Sequence, residues 1–115
     1  MPRQSHAALS VVPFASTAEH KFDPPAPPSH LGKPEKEIWR GVFDDYNLPT
    51  KAAVAVLTTA LEAHQRQREA REAIKRDGMT VMGRDGQIKV HPLLAVERDA
   101  RQAWFAGIKA LGLEL

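Results

Sequence analysis

The chain contains no cysteine. Disulfides, thiolate metal sites and cysteine nucleophiles are therefore excluded. No apolar run approaches the ~18 residues that a membrane helix needs. The N-terminus offers one Arg and then a weak apolar stretch from Ala7 to Ala15, broken by Ser10 and Pro13. That is a poor secretory signal, so the cytoplasm is the expected compartment.

The usual constellations of catalysis are also missing. A phosphate-cradling loop needs Gly-x4-Gly-Lys followed by Ser or Thr. Gly32-Lys33 has no glycine five positions earlier and is followed by a proline. The histidines, His6, His20, His30, His64 and His91, lie far apart and form no ligand pair at helical spacing. No metal site and no cofactor is expected from them. His64 reads as a helix-surface or interface residue, and His91, before a proline, as structural. Asp44-Asp45 is the nearest thing to a carboxylate pair. Adjacent helix residues point about 100° apart, so these two do not converge on one substrate. With no nucleophile and no acid–base pair, the chain does not read as an enzyme.

What the chain does have is uneven. Seven of its nine prolines fall within the first 34 of 115 residues. Asp23-Pro-Pro-Ala-Pro-Pro-Ser-His30 cannot be helix or central strand, because proline removes donors and restrains its predecessor. Residues 1–32 thus read as a Pro-rich flexible arm, in which Leu9, Val11, Val12 and Phe14 could form a short docking motif. Residues 33–115 read as one helical domain with a β-hairpin near 79–90. A globule of about 80 residues buries only about 60% of its unfolded surface. Without disulfide or metal, association with other copies is the common remedy.

The fold expected is mainly α. A first helix starts near Pro34, with Glu35 and Glu37 in the turn where they oppose the positive end of the helix dipole. Ile38, Trp39, Val42, Phe43 and Tyr46 repeat at threes and fours, and Asn47-Leu-Pro-Thr50 ends the helix. Thr50 then caps a second helix, Lys51 to about Asp77, which stops at Gly78. Its first half carries an apolar stripe through Val54, Leu57 and Leu61. Its second half is mostly charged, with Glu62→Arg66 and Glu72→Arg76 in favourable i,i+4 order. Twenty-seven helical residues span about 40 Å, more than such a globule needs, so the far half is expected to meet another chain or to project. Met79–Met82 and Gln87–Val90 flank Gly83-Arg-Asp-Gly86, a hairpin signal in which Asp85-Gly86 is favourable turn chemistry and Gly83 tolerates positive φ. A lone hairpin is barely stable in water and must pack on the helices or pair with a neighbour. His91-Pro92 opens a last helix, striped by Leu93, Val96, Ala100, Trp104, Ile108 and Leu111, widened by Phe105 and ended by Gly112.

The remaining candidates for function are cations. The net charge is only +2, so a sequence pI near 9.2 says little by itself. Arg66, Arg68, Arg71, Lys75 and Arg76 place five cations within eleven residues of one helix. They could line a surface facing nucleic-acid phosphates. The interleaved Glu62, Glu69 and Glu72 weaken that reading, since such mixed charge usually means a solvated, salt-bridged face. Arg84 at the hairpin tip and Lys89 beside it complete the set of expected DNA contacts.

Several segments in order resemble a known family. Pro27-Pro-Ser-His-Leu31 precedes Glu35-Lys-Glu-Ile-Trp-Arg40. The charged helix ends in Arg76-Asp-Gly78. Gly83-Arg-Asp-Gly-Gln-Ile-Lys-Val-His-Pro92 then leads to Leu111-Gly-Leu113. Over about residues 24–113 this resembles the small subunit of phage terminases, in the short-chain family of tailed phages and prophages. The resemblance implies a non-catalytic DNA-packaging factor, acting in the bacterial host cell. Such subunits form rings, recognise viral double-stranded DNA and hand it to the large terminase subunit, which carries the ATPase and nuclease. Two departures stand out. Relatives commonly have an acidic residue early in the second helix, where this chain has Lys51-Ala-Ala-Val54. Relatives often have a further C-terminal tail that contacts the large subunit. The resemblance then implies that this contact, where such tails make it, is absent or is expected from the N-terminal segment. The rival reading, from the residues alone, is a helical adaptor that binds protein without DNA.

Overall fold

The computed structural model describes residues 16–17 and 24–113. The expected docking motif from Leu9 to Phe14 lies outside the described residues. Three helices dominate: α1 (Lys33–Asp45), α2 (Lys51–Asp77) and α3 (Leu93–Leu111). Four short strands form two antiparallel pairs. β1 (Ser16–Thr17) pairs with β2 (Tyr46–Asn47), and β3 (Thr80–Met82) pairs with β4 (Ile88–Val90).

The helix ends follow local chemistry. Pro34 occupies the first turn of α1, where its missing N–H is no loss. The Thr50 hydroxyl accepts from the Ala53 N–H at 3.0 Å and caps α2. Gly78 ends α2 at φ +86° and Gly112 ends α3 at φ +74°, both in the left-handed region that glycine reaches most easily. In the hairpin the positive φ falls on Gly86 and not on Gly83. Asp85 Oδ1 accepts from the Gln87 N–H at 3.1 Å and holds the turn.

α2 is the spine. Leu57 and Leu61 are fully buried, with Leu31, Trp39, Phe43, Leu48, Ala53 and Leu111 around them. Each such large side chain removed from water is worth about 1.5–3 kcal/mol. Ile38, Val42, Tyr46, Val54 and Trp104 pack on this cluster while staying partly exposed. Val96 and Phe105, expected in or beside the buried stripe of α3, are instead 40% and 49% exposed.

The charged half of α2 does not project free of the protomer. α3 returns antiparallel along it, with Ala60 meeting Gly107, Gln67 bonding Glu97, and Asp77 bonding His91. The two helices touch closely because Gly107 has no side chain. A Cβ there would stand 2.6 Å from the Ala60 Cβ. The α2–α3 contact is thus built on Ala60, Ala63, Ala70 and Ala100, small buried residues that let backbones approach.

Residues 24–32 are an ordered strap. The Trp39 indole N–H donates to the Pro25 carbonyl at 2.9 Å. Leu31 is buried, and the Gly32 N–H donates to Gln65 Oε1 at 2.7 Å. His30 Nε2 lies 2.8 Å from Glu62. The strap ties α1 to the middle of α2.

The hairpin behaves in the opposite way. It forms no substantial packing with any described helix, and Met79, Met82, Ile88 and Val90 are each 67–74% exposed.

Candidate nucleic-acid interface

The five cations of α2 do not share one face. At about 100° per residue, Arg66 and Lys75 point in opposite directions, whereas Arg68, Arg71 and Lys75 lie within about 60° of one another. The side of α2 that carries Arg66 is separate from the side that Arg71 and Lys75 present.

Arg68 turns inward. Its Nε donates to Glu35 Oε2 at 3.0 Å and its Nη2 to Glu35 Oε1 at 2.9 Å. Glu35 has no exposed surface. The His64 Nδ1–H donates to the same carboxylate at 2.6 Å, and the His64 ring meets the edge of Trp104 with centroids 5.0 Å apart. Burial alone would raise the Glu35 carboxyl. The hydrogen bonds from Arg68 and His64, with the guanidinium's charge, outweigh that and hold it below its ordinary range. Glu35 therefore does more than face the dipole of α1: it is the buried anion that joins α1 to α2. Arg68 is committed within the protomer, with its remaining nitrogen 3.3 Å from Glu72. All three guanidinium nitrogens of Arg68 are thus turned to carboxylates rather than to an outside phosphate.

Arg71 is 65% exposed and its Nη2 lies 3.5 Å from Glu97. Arg101 reaches the other oxygen of the same carboxylate at 3.5 Å, and Gln67 donates to it at 3.1 Å. One nearly buried carboxylate thus spaces two guanidiniums across α2 and α3. Arg98 sits three residues before Arg101, on adjoining helix surface, with Asp99 at 3.3 Å. Lys75 is exposed and has no ion-pair partner among the described residues. Arg71, Lys75, Arg98 and Arg101 form a basic strip along the α2–α3 pair. The spacing Arg98-x-x-Arg101 was the available sequence signal for its second half, and reasoning confined to α2 misses it.

The other expected contacts are dispersed. Arg76 pairs with Asp77 at 3.1 Å while staying 72% exposed. Arg84 is exposed in the hairpin turn. Lys89 is exposed on β4, opposite Val81, and its aliphatic stem lies over Gly83. Arg66 is exposed on the far side of α2. The helix pairs Glu62→Arg66 and Glu72→Arg76 do not form. Glu62 bonds His30, and Glu72 bonds Arg68.

At the hairpin end, His91 is buried. Its Nδ1 accepts from the Leu93 N–H at 3.1 Å, which puts the ring proton on Nε2. That proton is donated to Asp77 Oδ2 at 3.0 Å. His91 therefore caps α3 from the residue before Pro92. The His91 bond, aided by Arg76, holds the Asp77 carboxyl below its ordinary range. No cluster of three or more His, Asp or Glu among the described residues has the arrangement of a metal site.

Residues 36–114 of the chain match a family model, that of the phage terminase small subunit. The chain belongs to the phage terminase small subunit family. No curated protein and no solved structure matches it. The match begins one residue after Glu35 and covers most of α1, all of α2, the hairpin and α3. It supports a part in DNA packaging. No helix among the described residues is long and apolar enough to cross a membrane.

Proposed function

We propose that this chain is a non-catalytic packaging subunit that binds double-stranded viral DNA through phosphate contacts and delivers it to the large terminase subunit. The work would take place in the cytoplasm of the bacterial host, with several copies assembled into a ring. The observation that carries the DNA contact is the basic strip of Arg71, Lys75, Arg98 and Arg101. Arg84 and Lys89 lie beyond it on the hairpin, Arg76 points to another side of α2, and Arg66 would engage a strand only on the opposite side. Guanidinium and ammonium groups on regular helices suit backbone contact, which positions DNA without reading its sequence.

Phosphate binding of this kind releases counterions. The logarithm of affinity should fall linearly with the logarithm of salt, by about 0.9 for each phosphate neutralised. Mobility shifts across a salt series would test this on the intact chain and on Arg71→Gln/Lys75→Gln/Arg101→Gln. The triple variant should bind more weakly with a shallower slope. An unchanged slope removes this site. No binding by the intact chain at low salt would favour the protein-only adaptor.

A further inference from the structure

The hairpin and the opposite end of the chain have complementary surfaces. Pairing of Met82 with Ile88 and of Thr80 with Val90 puts Met82, Ile88 and Val90 on one face of the ribbon. All three are more than 65% exposed. A two-stranded ribbon gains little stability alone, and this one shows water the face that strands normally bury. Arg84 stands at the tip of the ribbon, Lys89 lies on its other face with Val81, and Asp85 is the ribbon's one acid, so the hairpin carries a net positive charge.

The complementary feature is a cleft of about 280 Å³ between α1 and α3. Ile38, Val42, Tyr46, Trp104 and Leu113 supply apolar walls, and Asp45 lies at its edge. This is the C-terminal end of α1, where Asp44 and Asp45 add to the negative pole of the helix dipole and no basic residue stands in the last turn. An apolar insert carrying cations is what such a surface accepts. The hairpin cannot reach it within one chain, because it leaves the far end of α2, a helix about 40 Å long.

We infer that the hairpin of one copy seats in the α1–α3 cleft of a second copy, with Ile88 and Met82 in the cleft and Arg84, at the ribbon's tip, beside Asp45. The inference deepens the assembly part of the proposed function and is independent of DNA. Unlike surfaces in contact make a head-to-tail interface, in which every copy keeps one free hairpin and one free cleft. Such a series closes into a ring when the rotation between copies allows.

Two half-disabled chains test this. Ile88→Glu spoils the hairpin at an exposed position. Gly41→Tyr/Asp45→Lys plugs the cleft and reverses its charge; Gly41 has open space above its Cα, so the added ring meets no clash at Cβ. Circular dichroism should show both folded. Native mass spectrometry should find the unaltered chain in species larger than a dimer, and each variant alone at the 12.7 kDa monomer mass. An equimolar mixture should give a heterodimer of twice that mass and nothing larger, since one good hairpin and one good cleft remain. As a second arm, Arg84→Asp should weaken assembly and Asp45→Lys in the same chain should restore it. A monomeric unaltered chain, a variant that keeps the full assembly, or a mixture that stays monomeric would each overturn the inference. A dimer of the cleft variant alone would mean that hairpins pair with hairpins, and would overturn it as well. Salt-dependent DNA binding by the monomeric variants would leave the packaging reading standing even then.

Discussion

Arg68 forks onto Glu35 with two hydrogen bonds of 2.9 and 3.0 Å, across 33 residues of sequence and from one helix to another. The Glu35 side chain is wholly enclosed, and the Arg68 side chain is 29% exposed. Removing one member strands the other. Arg68→Met leaves a buried carboxylate with only His64 to answer it, and should destabilise the fold by about 3 kcal/mol. Glu35→Gln/Arg68→Met should recover part of that loss, because no naked charge remains. Denaturant titration of both variants measures the difference.

Acid should undo the same contact. The folded Glu35 and Asp77 carboxyls both lie below their ordinary values. The unfolded chain therefore binds their protons first, at about pH 4, and stability rises with pH in that region. The contribution is complete above the unfolded carboxylate range and is lost as pH falls through the folded values. Melting temperature should hold steady from pH 7 to about 5 and then drop. Arg68→Met should show a shallower drop, having lost one source of the shift.

Gly107 should tolerate no side chain. A Cβ there meets the Ala60 Cβ at 2.6 Å, and neither atom can rotate away, so α2 and α3 must separate. Gly107→Ala should destabilise by about 1–3 kcal/mol despite the better helix propensity of alanine. Gly107→Ala/Ala60→Gly should recover much of that loss in thermal melts, since it moves the methyl across the same gap.

His91→Ala should loosen the start of α3. It removes the acceptor for the Leu93 N–H and the partner of Asp77. Loss of a cap of this kind costs about 1 kcal/mol. Amide exchange should quicken in the first turn of α3 and leave the centre of α2 unchanged. His91→Asn should retain most of the protection, since its side-chain oxygen can accept the same N–H.

The sequence by itself determined the elements. Pro34, Thr50, Gly78, His91-Pro92 and Gly112 mark helix ends through local backbone chemistry, and that chemistry does not depend on distant residues. The apolar repeats from Ile38 to Phe43 and from Val54 to Leu61 likewise placed the first two helices in the core. Only the tertiary structure decided which charges are available. Arg68 and Arg71 are alike in sequence, yet one folds onto a carboxylate 33 residues away and the other reaches the surface. Arg98 and Arg101 joined Arg71 only because α3 runs back along α2. The long helix, which looked too long for its globule, has its far half covered by that return. Helix ends and apolar stripes are set by neighbours within a turn or two, whereas the fate of a charge depends on which distant carboxylate packing brings beside it.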